Sequence, residues 1–450
     1  MPRNNKLNVY ILTLGCDKNR VDGEVMGGLI YEAGYNITQN PDKADIIIVN
    51  TCGFISDATQ ESIDAVLSLA EHKTKGRCKK LVVAGCMAER YGGEILKEIP
   101  EADAYLGSGE YYRIVEVIRG WIASSQAPRN DGGGQDHIGD LYKKRLLLPV
   151  SHVMPVKIAE GCSNMCTYCT IPSIRGPYHS RPMEDIVDEC KGLVNKGARE
   201  LVFVAQDTAS YGLDLYGGPK LHELLKAAST IDNLTWIRIM YAYPEHITAD
   251  IITAIADNEK ICNYIDIPIQ HSHSNILKRM GRKSATESLK ELIATLRQTI
   301  PGITIRTTLM TGFPGETEDE FIHMHDFLQE MRFDRLGVFA YSQEEGTPAA
   351  MMDGQIDDKT KNARRERLML CQQGIHENLQ KALIGTIQEV MVDEIKKSQT
   401  GYEFYGRSYR DAIETDTIIA FNSTRNYTTG DMASVKITGC DDYDLFGEGL

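Results

Sequence analysis

The chain has no apolar run long enough to cross a bilayer, which argues against a membrane-spanning helix. Its opening Met1-Pro-Arg-Asn-Asn-Lys6 is not followed by the apolar core of a signal peptide, so a soluble cytoplasmic protein without membrane partners is expected. It lacks an excess of positive charge: 49 Lys and Arg face 63 Asp and Glu, for a net of −14. General nucleic-acid binders are usually basic, so nucleic acid is not expected as the direct substrate. An acidic surface suits a basic protein partner instead. A phosphate loop is also missing, because Gly132-Gly133-Gly134 opens no helix and has no partner lysine.

What is present is globular. The 450 residues, 42% hydrophobic and 25% charged, call for about two to four domains. There are eleven cysteines, and in a reducing compartment these serve as ligands or small buried side chains rather than disulfides.

Three of them are dense. Cys162, Cys166 and Cys169 form a C-x3-C-x2-C array just after the apolar run Val153–Ile158. Three thiolates so spaced can hold a cubane [4Fe-4S] cluster with one iron left open. Zinc prefers four closed ligands, and no fourth Cys or His follows at finger spacing. The open iron can chelate the amino and carboxylate groups of S-adenosylmethionine and release a 5′-deoxyadenosyl radical from it. The competing reading is a structural metal knot or three unrelated thiols. Tyr168, inside the loop, is a cofactor-binding candidate that packs over the cluster, touches the adenine or only fills space.

Residues 7–122 alternate strand and helix patterns, which implies a parallel sheet. Leu7–Leu14, Asp45–Val49 and Leu81–Ala84 are apolar runs, leading to Cys16, Cys52 and Cys86 respectively. Helices are expected at Val21–Tyr31, Ser56–Ala70, Ala88–Glu98 and Tyr112–Ile122. Ligands gather beyond the carboxyl ends of such strands. Three cysteines at three such ends can therefore converge on a second cluster, although 35 and 33 residues lie between them. The alternative is that a small residue is simply tolerated at crowded strand ends. Cys78, Cys190, Cys262, Cys371 and Cys440 show no such pattern and read as non-ligands.

Residues 123–147, rich in turn formers, read as a linker. From 148 to 375 six strand–helix units follow, with strands at Val153–Ile158, Leu201–Ala205, Thr235–Met240, Tyr264–Ile267, Thr304–Met310 and Leu336–Phe339. Six units fit a partial barrel. Its catalytic strand ends would carry Gln206-Asp207, Tyr243-Pro244, Gln270-His271, Gly312–Thr317 and Tyr341-Ser342. Gly312–Thr317 is either a turn that starts a helix or a backbone contact to cofactor. His271 and His273 either line the pocket or lie on a solvated loop.

Asp357–Gln380 reads as a long helix, and 376–450 as a small barrel with strand-like runs Thr386–Val392, Tyr402–Tyr409, Ala412–Ile413, Thr417–Phe421 and Met432–Ile437. After His376, seven Lys and Arg face thirteen Asp and Glu, a net of −6, which suits a basic protein better than phosphates. The fold class is therefore α/β: an N-terminal parallel-sheet domain, a central partial (β/α)6 TIM-like barrel and a C-terminal small all-β, OB-like barrel.

The array at Cys162, Cys166 and Cys169 is the signature of the radical-SAM superfamily, and the order of the three sections resembles the methylthiotransferase family across nearly the whole chain. Three runs resemble the protein-modifying branch of that family, the RimO subfamily: Tyr168-Cys-Thr-Ile-Pro-Ser-Ile-Arg-Gly-Pro-Tyr178, Tyr241-Ala-Tyr-Pro244 and Asp266-Ile-Pro-Ile-Gln-His271. The tRNA branch, MiaB-like, shows Arg-Gly-Arg-Glu and Gln-Ser-Gly-Ser where this chain has Arg175-Gly-Pro-Tyr178 and Gln270-His-Ser-His273.

The resemblance implies two [4Fe-4S] clusters, an auxiliary one on Cys16, Cys52 and Cys86 and a radical-SAM one on Cys162, Cys166 and Cys169, with a TRAM domain at the end. One S-adenosylmethionine would donate the methyl group and another the radical. The implied product is a methylthio group on the β-carbon of an aspartate in small-subunit ribosomal protein S-twelve, with a tRNA (adenosine) methylthiotransferase of the MiaB type as the alternative. An electron donor such as flavodoxin or ferredoxin is implied, the sulfur donor is left open, and no His or Glu general base is required.

Overall fold

The computed structural model describes residues 6–120, 138–147, 150–398 and 401–450. They divide into two compact units. One holds the N-terminal α/β fold together with 159–163 and 169–189; the other holds 150–158, 164–168 and 190–450.

In the first unit five parallel strands, β1 (Asn8–Thr13), β2 (Asn36–Ile37), β3 (Ile46–Thr51), β4 (Lys80–Gly85) and β5 (Ala104–Gly107), lie in the order β2-β1-β3-β4-β5. Their sequences are near-continuous apolar runs because both faces are covered. Ile46 and Ile48 pack into one core with Val21, Val25 and Ile30, while Ile47 and Val49 pack into another with Val66 and Leu69. The chain winds outward in opposite directions from β1 and β3, so the crevice beyond their carboxyl ends is the topological switch point of the sheet. Cys16 and Cys52 follow these two strands.

The helices Asp17–Glu32 and Ser56–Ala70 cover the expected stretches. The expected helix Ala88–Glu98 is instead broken at Gly92-Gly93 into Cys86–Tyr91 and Ile95–Glu98, since Gly92 takes a φ of 52° that ends the first piece. Of the expected linker, 123–137 lies outside the described residues. Within 138–147 is the short helix Ile138–Lys143, whose Tyr142 joins the core of the first unit.

In the second unit the six expected strands appear as Val153–Lys157, Glu200–Val204, Trp236–Ile239, Ile261–Gln270, Thr304–Thr311 and Arg335–Ala340. They stand side by side in chain order, all parallel, in an open sheet. A closed five-stranded barrel follows, from Ile387–Ser398, Gly401–Arg407, Ile419–Asn422, Met432–Cys440 and Leu445–Gly449. Phe404, Phe421, Val390 and Val435 fill it. Ala412–Ile413, expected as strand, is a turn, because the Ala412 amide donates to the Asp416 carboxylate at 2.9 Å instead of to a neighbouring strand.

A buried ion cluster joins the small barrel to the amino ends of the open sheet. Glu200, the first residue of its strand, accepts from Arg238 at 2.6 Å and from Arg407 at 2.9 Å, and Arg407 also donates to Asp393 at 2.7 Å. The amino ends of barrel strands serve stability, which leaves the carboxyl ends for chemistry.

Candidate functional site: two sulfur neighbourhoods

The fold brings Cys16, Cys52 and Cys86 together. Cys16 stands at the N-terminus of helix Asp17–Glu32, and Cys86 opens helix Cys86–Tyr91. Both therefore sit where free backbone N–H groups favour negative charge. Gly15 has φ +86°, and a Cβ there would lie 2.9 Å from Cys52 Cβ and 3.2 Å from its Sγ. Gly85 has φ +93°, and a Cβ there would lie 2.5 Å from Asn50 Oδ1. Only glycine admits this approach of the loops.

Burial pushes the Cys86 thiol up to about 11; Arg175 opposes the shift, while Cys16 and Cys52 add to it. Cys52 is likewise raised, first by burial and further by Cys16. The three sulfurs thus share one field.

Asn19 organises the floor of this site. Its Nδ2 donates to Leu14 O at 3.0 Å and Thr51 O at 2.9 Å, tying the ends of β1 and β3 together. Its Oδ1 lies 3.6 Å from Cys86 Sγ and accepts from Arg175.

Arg175 closes the short helix Ile171–Arg175 that follows Cys169. Its guanidinium donates to Cys86 Sγ at 3.2 Å, to Asp22 at 2.9 Å and to Glu160 at 3.1 Å. Burial alone would weaken its proton affinity, but Glu160, Cys86 and Asp22 raise it well above the ordinary arginine value, so the cation is fixed.

Cys162 and Cys169 belong to the same unit. The Cys162 amide donates to Gly176 O at 3.1 Å, and Cys169 Sγ accepts from the Ile171 amide at 3.4 Å.

Cys166 is described with the second unit, where its Sγ lies 3.5 Å from the Tyr243 hydroxyl. Tyr243 is stacked on His246 at 5.4 Å and carries the Arg282 guanidinium 3.8 Å above its ring. Burial holds the Tyr243 hydroxyl well above its ordinary value; Arg282 opposes this and Cys166 adds to it.

Behind Tyr243 lies Asp207, fully buried at the end of Glu200–Val204. It accepts from Asn164 Nδ2 at 3.0 Å, Ser210 Oγ at 2.6 Å and the Tyr243 amide at 3.2 Å, and lies 2.7 Å from His246 Nδ1. Burial would raise its carboxyl, but the bonds from His246, Ser210 and Asn164 outweigh that and hold it below the usual carboxylate range.

Tyr168 packs against an apolar cluster of Met280, Phe313 and Tyr341. Gly312–Thr317 forms a turn and helix start. The Gly312 amide donates to Glu316 at 3.0 Å, and Thr317 with Glu320 forms a capping box. Its anion-binding amide is thus met by a carboxylate of the chain itself. His271 is buried, not on a solvated loop, and its Nε2 lies 3.5 Å from Glu316.

Among the described residues no three His, Cys, Asp or Glu side chains close on a point that one metal ion could occupy. The N-terminal trio consists of soft donors alone, beside a buried cation that offsets thiolate charge. Soft thiolate donors of that kind suit an iron–sulfur group, whose irons share the ligands, and zinc is the single ion that the same donors also take. At the strand ends of the second unit, Gln206 Oε1, Glu245 Oε2 and Arg282 Nε are buried without a hydrogen-bond partner among the described residues. Donors and acceptors left open there fit a polar ligand.

Three family models match in order: "Uncharacterized protein family UPF0004" at 8–107, "Radical SAM superfamily" at 156–328 and "TRAM domain" at 384–449. Curated relatives named "Ribosomal protein uS12 methylthiotransferase RimO" match along the whole length. The one from Clostridium botulinum (strain Okra) is 44% identical over 98% of each chain. Those from Pelotomaculum thermopropionicum and Desulforamulus reducens are 46% and 47% identical over 98% of this chain and 99% of theirs. The chain belongs to the RimO family.

Solved structures share the fold at low identity. The radical S-adenosylmethionine methyltransferase TsrM from Kitasatospora setae aligns with a TM-score of 0.57 at 11% identity, over 85% of this chain and 77% of that one. The cobalamin-dependent enzyme OxsB aligns at 0.51 and 12%, over 82% and 56%. Within the RimO fold, sequence reasoning passed over Asn19 and Arg282, and it quoted Arg175 only as part of a family-like run without a role at the cysteines. Arg175 and Arg282 are two buried arginines, one on Cys86 and one over the Tyr243 ring that meets Cys166, and the signal that could have found them is an arginine set beside an apolar residue and a glycine, as in Ile174-Arg175-Gly176 and Met280-Gly281-Arg282.

Proposed function

We propose that the chain is a radical-SAM methylthiotransferase that adds a methylthio group to the β-carbon of an aspartate in ribosomal protein S-twelve. Two S-adenosylmethionine molecules are consumed, one for the methyl group and one for the radical. The observation that carries this reading is the gathering of Cys16, Cys52 and Cys86 at one switch point, in a chain that also holds the Cys162, Cys166 and Cys169 array and matches RimO relatives from end to end. Cys16, Cys52 and Cys86 would hold an auxiliary [4Fe-4S] cluster; Cys162, Cys166 and Cys169 would hold the radical-SAM cluster. Domain limits of 7–122, 148–375 and 376–450 go with the reading, as do a cytoplasmic location and a small electron-transfer protein as reductant.

An aspartate β-carbon has no leaving group, so a C–H bond must be broken homolytically. When bound, the clusters and S-adenosylmethionine supply that radical and sulfur chemistry. The chain supplies placement. Asp207 fixes the Tyr243 backbone and the Asn164 side chain, and through Tyr243 it orients the Cys166 sulfur. Tyr168, Phe313, Met280 and Tyr341 form an apolar wall that excludes water, which protects a radical from quenching. Asp207 is held ionised by its partners and acts as an acceptor, not as a general acid.

The test is anaerobic reconstitution, reduction in the presence of S-adenosylmethionine, and mass analysis of S-twelve and of tRNA. The expected result is 5′-deoxyadenosine together with a methylthio mass gain on S-twelve. Added mass on tRNA alone, or no 5′-deoxyadenosine, overturns the proposal.

A further inference from the structure

The guanidinium of Arg175 is a buried cation in contact with Cys86 of the N-terminal trio, and its arrangement is specific. The side chain is 1% exposed, and Asp22, one of its two carboxylate partners, is 4% exposed. One face of the fork is taken by Asp22 and Glu160 through Nη1; the other, Nη2, points to Cys86 Sγ at 3.2 Å and to Asn19 Oδ1. A fork used this way is anchored on one side by ordinary ion pairs and presents its second nitrogen to a sulfur. Neutral stability does not call for the sulfur contact, because Asp22 and Glu160 already supply two carboxylates.

The residue also has a particular address in the chain. It closes the helix Ile171–Arg175 and lies six positions after Cys169, while the Ile171 amide at the start of that helix donates to Cys169 Sγ at 3.4 Å. One short helix therefore gives a hydrogen bond to a sulfur of one cysteine set at its start and to a sulfur of the other at its end. Ser108 Oγ donates to Ile174 O at 3.0 Å and Thr170 Oγ1 to Phe54 O at 3.2 Å, which seat the helix on the N-terminal fold.

We propose that Arg175 is a positioning residue that sets the reduction potential of the group held by Cys16, Cys52 and Cys86. This rests on reading those three residues as ligands of one iron–sulfur cluster. A charge-assisted N–H bond to a ligating thiolate stabilises the more electron-rich state, so it raises the potential of the cluster. Removing it lowers the potential, and Asp22 and Glu160, left as uncompensated negative charges nearby, lower it further. The cluster on the N-terminal trio is thereby made easier to reduce than its three buried thiolates alone would allow. Asn19 acts with Arg175 by holding the fork in register with Cys86.

The experiment uses the full chain with Cys162, Cys166 and Cys169 all replaced by Ala, so that one cluster gives the signal. Iron and sulfide are counted after anaerobic reconstitution, and the midpoint potential is read by EPR-monitored titration, with and without Arg175→Gln. Full iron with a potential moved to more negative values, by at least a tenfold change in the reduced-to-oxidised ratio (about 59 mV for one electron), is the expected result. Full iron at an unchanged potential overturns the role of Arg175 while leaving the ligand reading intact. Should Arg175→Gln lose its iron, Arg175→Lys decides: full iron with a potential more negative than the parent's supports the proposal, and the parent value overturns it. If the Arg175 parent binds no iron, the ligand reading itself fails and the proposal falls with it.

Discussion

Cys86 is met by a guanidinium, and Cys166 by a phenol. The first contact is a donating, permanent cation at 3.2 Å, clamped by Asp22 and Glu160; the second is a neutral hydroxyl at 3.5 Å, and its own cation, Arg282, lies over the ring instead of on the sulfur. The difference teaches where charge is needed. In the proposed ligand role, three thiolates gathered from three strand ends would concentrate negative charge in a buried crevice, and the Arg175 cation in contact with Cys86 would offset it. Cys166 sits in a loop and needs to be aimed more than neutralised. Asp207 does that aiming, through the Tyr243 amide and the Asn164 side chain.

The largest expected effect breaks the comparison outright. Cys86→Ala removes about half of the iron of the reconstituted chain and abolishes methylthiolation of S-twelve, yet leaves reductive cleavage of S-adenosylmethionine. Cys166→Ala removes the other half and abolishes both reactions. Iron and sulfide counting, with 5′-deoxyadenosine and product mass, reads each arm. Equal loss of both activities in the two variants would show that the trios do not act separately.

Next in size is Asp207→Ala. It strips the acceptor from Asn164, Ser210, His246 and the Tyr243 amide at once. Bonds to a charged group contribute about 1.5–3 kcal/mol each, and they are not additive. A loss of about 3 kcal/mol is expected, or roughly 6–12 °C in the melting of the barrel. 5′-Deoxyadenosine formation should fall with it. The auxiliary cluster should keep its potential, because no partner of Asp207 touches Cys86; a shift there would sink the separation drawn above.

Much of this was legible in the residues. The six strands of the open sheet stand where the apolar runs put them, because a strand covered on both faces must be apolar throughout. The convergence of Cys16, Cys52 and Cys86 also followed, since the carboxyl end of a parallel strand has one side of the sheet to open on. Arg175 did not follow. Its partners Asp22 and Asn19 lie 153 and 156 positions away, and periodicity carries no information across that span. The final strand Leu445–Gly449 was missed as well: Leu-Phe-Gly-Glu-Gly has the glycines of a turn, yet it is held by pairing on both sides, to Ile419–Asn422 and to Val435–Cys440. Barrel closure overrode local propensity there.

A smaller effect is in the pH dependence of the Asp207 network. Against the opposing effect of burial, the bonds from His246, Ser210 and Asn164 hold the folded carboxyl below the ordinary aspartate value. A depressed carboxyl contributes stability that is fully present above the unfolded value and is lost as pH falls through the folded value. The stability gap between the parent chain and Asp207→Asn should therefore stay constant from neutral pH down to about 5 and close only below about 4. Denaturant unfolding across that range checks it, and a gap that changes between pH 6 and 8 would overturn it.

The smallest effect sharpens the comparison most. Tyr243→Phe deletes one neutral hydroxyl at 3.5 Å from Cys166 Sγ and leaves the ring under Arg282 and against His246. The stability cost should be within about 1 kcal/mol, the size of one neutral hydrogen bond. Iron content should be unchanged. The potential of the radical-SAM cluster, read in a chain whose Cys16, Cys52 and Cys86 are Ala, should move to more negative values, but by less than Arg175→Gln moves the auxiliary one, because a phenol offers a dipole where the guanidinium offers a full charge. If Tyr243→Phe shifts its cluster as far as Arg175→Gln shifts the other, net charge is not what distinguishes the two sulfur neighbourhoods, and hydrogen-bond donation alone sets both potentials.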